Sequence, residues 1–126
     1  MSESTCRILV ADDNVDAGDA LAMLLELQGH EVKIARDGHS AVKLAAEFRP
    51  DIALLDIGMP GMDGFATARA IRAEDWGKDL YLVALTGYSQ PADRERANLA
   101  GIDVFIVKPV EMATLEQVCA QALSRN

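Results

Sequence analysis

Short apolar segments and segments with helical periodicity alternate five times along this chain of 126 residues, and this alternation limits the fold more than any other feature. The apolar segments are rich in Val, Ile and Leu and have the length of β-strands. Strands that alternate with helices predict a doubly wound α/β fold, a parallel sheet with helices on both faces. The predicted strands are Arg7–Ala11, Glu31–Ala35, Asp51–Leu55, Leu80–Leu85 and Val104–Val107.

The helical segments carry apolar stripes at helical spacing, which indicate the faces that they bury. Asn14 is a good N-cap for the first helix and Gly29 a good stop signal. The helix after Gln90 has few apolar residues among many charged ones, so we expect it to pack loosely. The predicted buried stripes are Leu21, Leu24, Leu25 and Gln28 in the first helix, Ala41, Leu44, Ala45 and Phe48 in the second, and Leu115, Val118, Cys119 and Ala122 in the last.

The composition favours one globular domain over residues 1–126, with residues 1–5 as a flexible tail: half of the residues are hydrophobic and a quarter are charged. A net charge of -8 opposes binding to nucleic acid. The chain has no apolar run of about 18 residues, so we expect no membrane insertion and a cytoplasmic location. Cys6 and Cys119 lie far apart without metal-ligand spacing, which indicates reduced structural residues, with a redox role as the alternative.

Three carboxylates follow predicted strands. Asp12 and Asp13 follow the first strand, and Asp56 follows the third. In an open parallel sheet, functional groups collect outside the carboxyl ends of the strands. Like charges at that spacing repel, and hard oxygen ligands without His or paired Cys indicate bound Mg²⁺, with Mn²⁺ as an alternative. A second interpretation is that Asp12 or Asp13 caps the first helix.

A hydroxyl and an ammonium group follow the other two strands of this edge. Thr86 comes after the fourth strand and Lys108 after the fifth. Three acids, a divalent cation, a hydroxyl donor and a lysine form a coherent site for phosphoryl transfer. In that chemistry, positioning and charge neutralisation provide nearly all of the catalysis.

With these motifs the sequence resembles the receiver domains of bacterial response regulators, the family of the chemotaxis response regulator. The resemblance covers essentially the whole chain and implies a flavodoxin-like (βα)5 fold with strand order 2-1-3-4-5. The matching segments are Ile8-Leu9-Val10-Ala11-Asp12-Asp13-Asn14, Asp56-Ile57-Gly58-Met59-Pro60-Gly61-Met62-Asp63-Gly64, Ala84-Leu85-Thr86-Gly87 and Val107-Lys108-Pro109.

The resemblance implies that Asp56 accepts a phosphoryl group from a histidine kinase or a histidine phosphotransfer protein in two-component signalling. Asp13 and Asp56 would bind Mg²⁺ directly, Asp12 would act through an ordered water, and the backbone carbonyl of Gly58 would complete the protein ligands. The chain would then be a switch that catalyses only its own phosphorylation and dephosphorylation.

The resemblance also implies how the signal leaves the site. Lys108 would pair with a phosphoryl oxygen, and the Lys108-Pro109 bond would be cis. Thr86 would move toward the phosphoryl group and open space for the ring of Phe105, which remodels the surface of the fourth helix, fifth strand and fifth helix. Gly58 and Tyr88 would tune the phosphoryl lifetime.

The sequence after the predicted phosphoacceptor predicts a tight turn before the third helix. Pro60 fixes one backbone angle, and Gly64 is expected to adopt an unusual one.

One alternative to the receiver hypothesis and two open questions within it remain. A haloacid dehalogenase type of enzyme also uses an aspartate nucleophile and Mg²⁺, but it resembles this chain poorly because Gly58 stands where its second aspartate would be. A receiver that is never phosphorylated would serve as a constitutive interaction module. A phosphorylated receiver would be either a stand-alone regulator or part of a hybrid sensor kinase.

Overall fold

The computed structural model describes residues 5–87 and 90–124. The chain alternates strands and helices as the sequence predicts. The strands are β1 Arg7–Ala11, β2 Glu31–Ala35, β3 Ile52–Asp56, β4 Tyr81–Thr86 and β5 Val104–Val107. The helices are α1 Val15–Leu27, α2 Gly38–Phe48, α3 Gly64–Arg72, α4 Pro91–Leu99 and α5 Met112–Ser124, with a 3-10 turn at Asp75–Gly77.

The five strands form one parallel sheet in the order β2-β1-β3-β4-β5, which confirms the predicted topology. Successive residues of β1 point to opposite faces. Ile8 and Val10 pack with Leu25 of α1 and Leu115 of α5, whereas Leu9 packs on the face covered by α2, α3 and α4. The register places Asp56 opposite Leu85 and Thr86 opposite Val107, so the carboxyl ends of β3, β4 and β5 lie side by side.

Two strands begin one residue later than predicted. Asp51 precedes β3, where its carboxylate accepts the backbone N–H of Arg7 at 2.8 Å. Leu80 likewise precedes β4, since the ladder between β3 and β4 begins with Ile52 opposite Tyr81. The shift makes Asp56 and Thr86 the last residues of their strands rather than the residues that follow them.

The prediction of which face of α1 is buried is wrong in part. Leu25 is fully buried, but Leu24 is 43% exposed, and the buried side consists of Gly18, Ala22 and Leu25. A Cβ on Gly18 would lie 2.9 Å from the guanidinium of Arg36. The next atoms, on Asp12 and Ile34, lie 3.6 and 3.7 Å away, which is ordinary packing distance. The small residues Gly18 and Ala22 thus face the sheet beside Leu25, and Leu24 lies on the outer side of the helix.

The other helix predictions are confirmed. Asn14 caps α1 by accepting the N–H of Ala17 at 3.0 Å, and Gly29 ends it with a φ of +95°. Of the nine residues of α4, only Ala97 is buried, so this helix has little apolar attachment to the sheet. Across residues 5–87 and 90–124, no helix combines the length and the apolar character needed to cross a membrane. The stripes of α2 and α5 are buried as predicted, with Leu44 partly exposed: Ala41, Ala45, Phe48, Leu115, Val118, Cys119 and Ala122.

The guanidinium of Arg72, at the end of α3, joins three segments of the chain. It donates to the carbonyls of Gly77, Leu80 and Gly101 at 2.8, 2.7 and 2.9 Å and forms an ion pair with Asp103 at 2.8 Å. These contacts hold the connection between α3 and β4 against the connection between α4 and β5. Substitution of Arg72 would leave several carbonyls without a donor, and each such loss costs free energy when the group is shielded from water.

We predict that Arg72→Met lowers the free energy of unfolding by about 2–3 kcal/mol, because methionine fills the space but donates no hydrogen bond. Urea denaturation followed by circular dichroism measures this. Arg69→Met is the matched control, since Arg69 lies on the exposed side of the same helix. It should change the unfolding free energy by less than about 0.5 kcal/mol. Equal effects of the two substitutions would contradict the role of Arg72.

Candidate functional site

Three carboxylates meet at the carboxyl edge of the sheet. One carboxylate oxygen each of Asp12, Asp13 and Asp56 lies within 4.8 Å of the other two. Asp12 is buried, Asp56 is partly buried and Asp13 is exposed. The structure therefore brings together the three acids that the sequence analysis placed at this edge, and it opens the cluster to solvent on the side of Asp13.

Backbone N–H groups and one ammonium group hold the cluster in place. Asp12 Oδ1 accepts the N–H of Asn14, and Asp56 Oδ1 accepts the N–H of Gly58, both at 2.9 Å. Lys108 Nζ lies 3.6 Å from Asp12 Oδ2. Asn14 itself is the N-cap of α1, so neither aspartate caps that helix through the usual side-chain position.

The position of Asp56 makes its negative charge costly. The pKa of Asp56 is raised above its usual value, chiefly by burial and further by the neighbouring Asp12. The Gly58 N–H and the charge of Lys108 lower this pKa but do not reverse the direction. A bound cation would relieve this cost. The donor set fits a hard divalent cation, because it consists of carboxylate oxygens and is open to water, which Mg²⁺ keeps in its coordination shell.

Thr86 and Lys108 complete the edge. Thr86 ends β4 beside Asp56 and is buried, and its carbonyl accepts the N–H of Lys108 at 2.6 Å. The Lys108-Pro109 bond is cis, as the resemblance implied. Phe105 of β5 is partly buried against the core, and the guanidinium carbon of Arg94 lies 5.0 Å from its ring centroid. Tyr88, predicted to tune the lifetime, lies outside the described residues.

The turn after Asp56 differs from prediction in one residue. Gly61, not Gly64, has a positive φ, +72°. Gly64 is needed for space, since a Cβ there would lie 2.6 Å from the Cα of Ile57. Asp63, which the sequence analysis did not single out, caps α3 by accepting the N–H of Ala66 at 2.9 Å. The Asp63-Gly64 pair before an apolar helix was the available signal for this cap.

An apolar groove beside the cluster was also missed. It has a volume of about 530 Å³ and runs from Asp12 and Lys108 along α1, where Leu21 and Leu24 face Val110. The signal was present in the sequence, because α1 has more large apolar residues than one buried face needs. Its exposed apolar residues are Val15, Met23, Leu24 and Leu27.

Comparison with known proteins agrees with this geometry. Residues 8–120 match the family of response regulator receiver domains. The transcriptional regulatory protein PrrA of Mycobacterium leprae is 41% identical over 112 residues, which cover 89% of this chain and 47% of that protein. An uncharacterized 14.6 kDa protein of Leptolyngbya boryana is 34% identical over 114 residues, 90% of this chain and 87% of that protein.

Among solved structures, the receiver domain of the sensor histidine kinase PA1611 from Pseudomonas aeruginosa PAO1 has a TM-score of 0.87 at 30% identity, and the match covers 95% of this chain and 98% of that one. That domain has a magnesium ion coordinated in its active-site cleft. This chain belongs to the response regulator receiver domains of two-component systems, a family that binds Mg²⁺ in its active site and interacts with histidine kinases. It spans about half the length of PrrA.

We predict that Asp56→Asn raises the stability of the metal-free protein at pH 7. Asparagine keeps an acceptor for the Gly58 N–H and removes a charge that burial disfavours. Because the folded pKa is raised, the charge destabilises the protein above that pKa, and the gain should vanish as the pH falls through it. Urea denaturation in chelator at several pH values measures this.

Asp75→Asn, on the exposed 3-10 turn, is the control and should leave the urea midpoint unchanged. A lower midpoint for Asp56→Asn at pH 7 would show that the carboxylate stabilises the fold, contrary to the direction of its pKa.

Proposed function

We propose that this receiver accepts a phosphoryl group from a phosphohistidine donor onto Asp56 in a reaction that requires Mg²⁺. The observation that carries the proposal is the cluster of Asp12, Asp13 and Asp56 within 4.8 Å, with Lys108 beside it. A carboxylate nucleophile, a site for a divalent cation and a fixed ammonium group are the components that phosphoryl transfer requires. No separate substrate is turned over, because the protein itself receives the group.

In this reaction a carboxylate oxygen of Asp56 attacks the phosphorus atom, the bond from phosphorus to the donor imidazole nitrogen breaks, and the donor leaves as a histidine. The product is an acyl phosphate on Asp56. The hydrogen bond from the Gly58 N–H fixes Oδ1 of Asp56. This contact orients the carboxylate, so that the other oxygen is the nucleophile.

We assign Asp13, Asp56 and the Gly58 carbonyl as direct ligands of Mg²⁺ and Asp12 as a ligand through water; Mn²⁺ would fit the same oxygens. Bound there, the cation neutralises charge on the carboxylates and the transferring phosphoryl group. The assignment agrees with the exposure of the residues, since the exposed Asp13 faces the side from which an ion enters and the buried Asp12 is already hydrogen-bonded to Asn14.

Lys108 and Thr86 would bind the phosphoryl oxygens. The ammonium of Lys108 lies 3.6 Å from Asp12 Oδ2, and its charge already acts on Asp56, whose pKa it lowers. Thr86 would donate its hydroxyl to a second oxygen. Phosphorylation adds about one negative charge and several strong acceptors, so donors at this edge gain free energy by moving inward.

This movement would switch the surface formed by α4, β5 and α5. Thr86 ends β4 and Phe105 lies on the adjacent strand β5, so an inward shift of Thr86 can free the space that the ring of Phe105 then enters. The helix α4 can follow, because it buries only Ala97. The partner that reads this surface would be a protein.

The phosphodonor would dock along α1. The groove of about 530 Å³ begins at Asp12 and Lys108 and is lined on α1 by Leu21 and Leu24. The same helix also exposes Met23 and Leu27. An apolar surface next to a phosphoacceptor fits the helical face of a histidine kinase or of a histidine phosphotransfer protein. The donor histidine can thereby reach Asp56 while the rest of the partner lies on α1.

We predict that acetyl phosphate with Mg²⁺ adds one phosphoryl group to the wild-type chain, because the site supplies the nucleophile and the charge neutralisation and needs only a donor. Intact mass spectrometry measures the gain. Chelation of Mg²⁺ should abolish it, and so should Asp56→Asn. Asp75→Asn is the control and should be phosphorylated like wild type.

Phosphorylation of Asp56→Asn to the wild-type level would show that another residue is the acceptor. If wild type gains nothing and its amide NMR spectrum does not respond to Mg²⁺, the constitutive interaction module becomes the better account.

We predict that the residue at position 58 sets the lifetime of the acyl phosphate. A Cβ on Gly58 would lie 3.5 Å from Asp56 Oδ1, so a side chain there lies beside the carboxyl group whose other oxygen is phosphorylated. Gly58→Asn should shorten the half-life several-fold relative to Gly58→Leu, because an amide can hold an attacking water and an apolar group of the same shape cannot. Decay of the phosphorylated mass after removal of acetyl phosphate measures this. Equal half-lives for the two variants would contradict the prediction.

A further inference from the structure

Two cysteines and a histidine meet at the opposite, amino edge of the sheet. Cys6 precedes β1, His30 precedes β2 and Cys119 lies in α5. Their ligand atoms lie within 4.8 Å of one another, and all three residues are buried, with exposures of 3%, 8% and 2%. Both thiols are free. Cys6 and Cys119 are separated by 112 residues in the sequence, and the fold brings them together.

The hydrogen bonds of His30 determine which cysteine sulfur accepts a hydrogen bond from the imidazole ring. The backbone N–H of Cys6 donates to His30 Nδ1 at 2.9 Å, so Nδ1 carries the lone pair of the neutral ring and Nε2 carries the proton. His30 Nε2 lies 3.7 Å from the sulfur of Cys119 and can donate to it. The thiol of Cys6 donates to the backbone carbonyl of Cys119 at 3.9 Å.

This arrangement disfavours a metal site. A neutral imidazole that binds a metal through Nε2 must carry its proton on Nδ1. In this fold Nδ1 accepts the backbone N–H of Cys6. Metal binding through Nε2 would place the ring proton on Nδ1, where it would face that N–H and break the hydrogen bond. The cluster is therefore organised for chemistry between the two thiols.

We propose that Cys6 and Cys119 form a reversible disulfide when the protein meets hydrogen peroxide. The thiolate of Cys119 attacks one peroxide oxygen, the O–O bond breaks, and with one proton the other oxygen leaves as water. This step oxidises Cys119 to a sulfenic acid. The sulfur of Cys6 then attacks the sulfenic sulfur, the S–O bond breaks, and the thiol proton leaves with the oxygen as a second water.

The electrostatics assign the two roles. The neighbouring Cys6 side chain lowers the pKa of Cys119, against burial and the charges of Glu116 and Asp51, and the net direction is downward. The Cys119 side chain, burial and nearby charges raise the pKa of Cys6. Burial lowers the pKa of His30, which keeps its ring neutral as a donor. The sulfur of Cys119 faces the donor Nε2 of His30, whereas the thiol of Cys6 is itself a donor, so Cys119 is the attacking residue and Cys6 the resolving one.

The burial of the thiols selects the oxidant. With exposures of 3% and 2%, neither sulfur can meet a bulky disulfide such as oxidised glutathione, whereas a small neutral peroxide can reach them through local motion. The new bond would join the start of β1 to α5. It would fix one part of the surface of α4, β5 and α5 without involving Asp56.

The test treats the full wild-type chain with hydrogen peroxide, alkylates free thiols in denaturant and maps peptides by mass spectrometry. We expect a linked pair of peptides containing Cys6 and Cys119, with the loss of two hydrogens, and its reversal by dithiothreitol. Cys6→Ser should leave a sulfenic acid on Cys119 that dimedone traps, whereas Cys119→Ser should leave Cys6 unlabelled. Both variants should still take a phosphoryl group from acetyl phosphate, so this test is independent of the phosphoacceptor.

Full alkylation of both cysteines, after a peroxide treatment that oxidises free cysteine, would overturn the proposal. So would linkage only between different chains. Stoichiometric binding of Zn²⁺ that protects both thiols from peroxide and is lost in Cys119→Ser would show a metal site instead.

Discussion

The repulsion among Asp12, Asp13 and Asp56 is the constraint on which the rest of the structure depends. Parallel strands β1 and β3 lie side by side and end at the same edge, so their terminal acids cannot separate unless the sheet register changes. The apolar faces of the sheet hold that register, and the pKa of Asp56 is raised, first by burial and further by the neighbouring Asp12. Under the proposed function, a cation bound by these carboxylates would offset this electrostatic cost.

Most of this edge could be predicted from the sequence. Strands are recognisable as short apolar runs, and the residues after them must meet when the strands are parallel and adjacent. That reasoning placed the acids, Thr86 and Lys108 correctly from their order alone. The cis bond before Pro109 came only from the family resemblance, since X-Pro bonds are usually trans.

The features that sequence reasoning missed depend on distances between elements. The buried face of α1 includes the small residues Gly18 and Ala22 beside Leu25, and a pattern of large apolar residues does not encode that orientation of the helix. The positive φ of Gly61 rather than Gly64 depends on the path of one turn. The cluster of Cys6, His30 and Cys119 forms because α5 packs beside the start of β1 at the far end of the chain. Contacts of that kind have no local signature.

Titration of the metal-free chain with Mg²⁺, followed by backbone amide NMR, tests the account most directly. We expect one ion per chain, with the largest shifts in the residues at the carboxyl ends of β1 and β3. Asp13→Asn should weaken the affinity at least about tenfold, since a direct charged ligand is lost. Unchanged affinity in Asp13→Asn and Asp56→Asn, or shifts confined to other parts of the molecule, would contradict the claim that these carboxylates form the cation site.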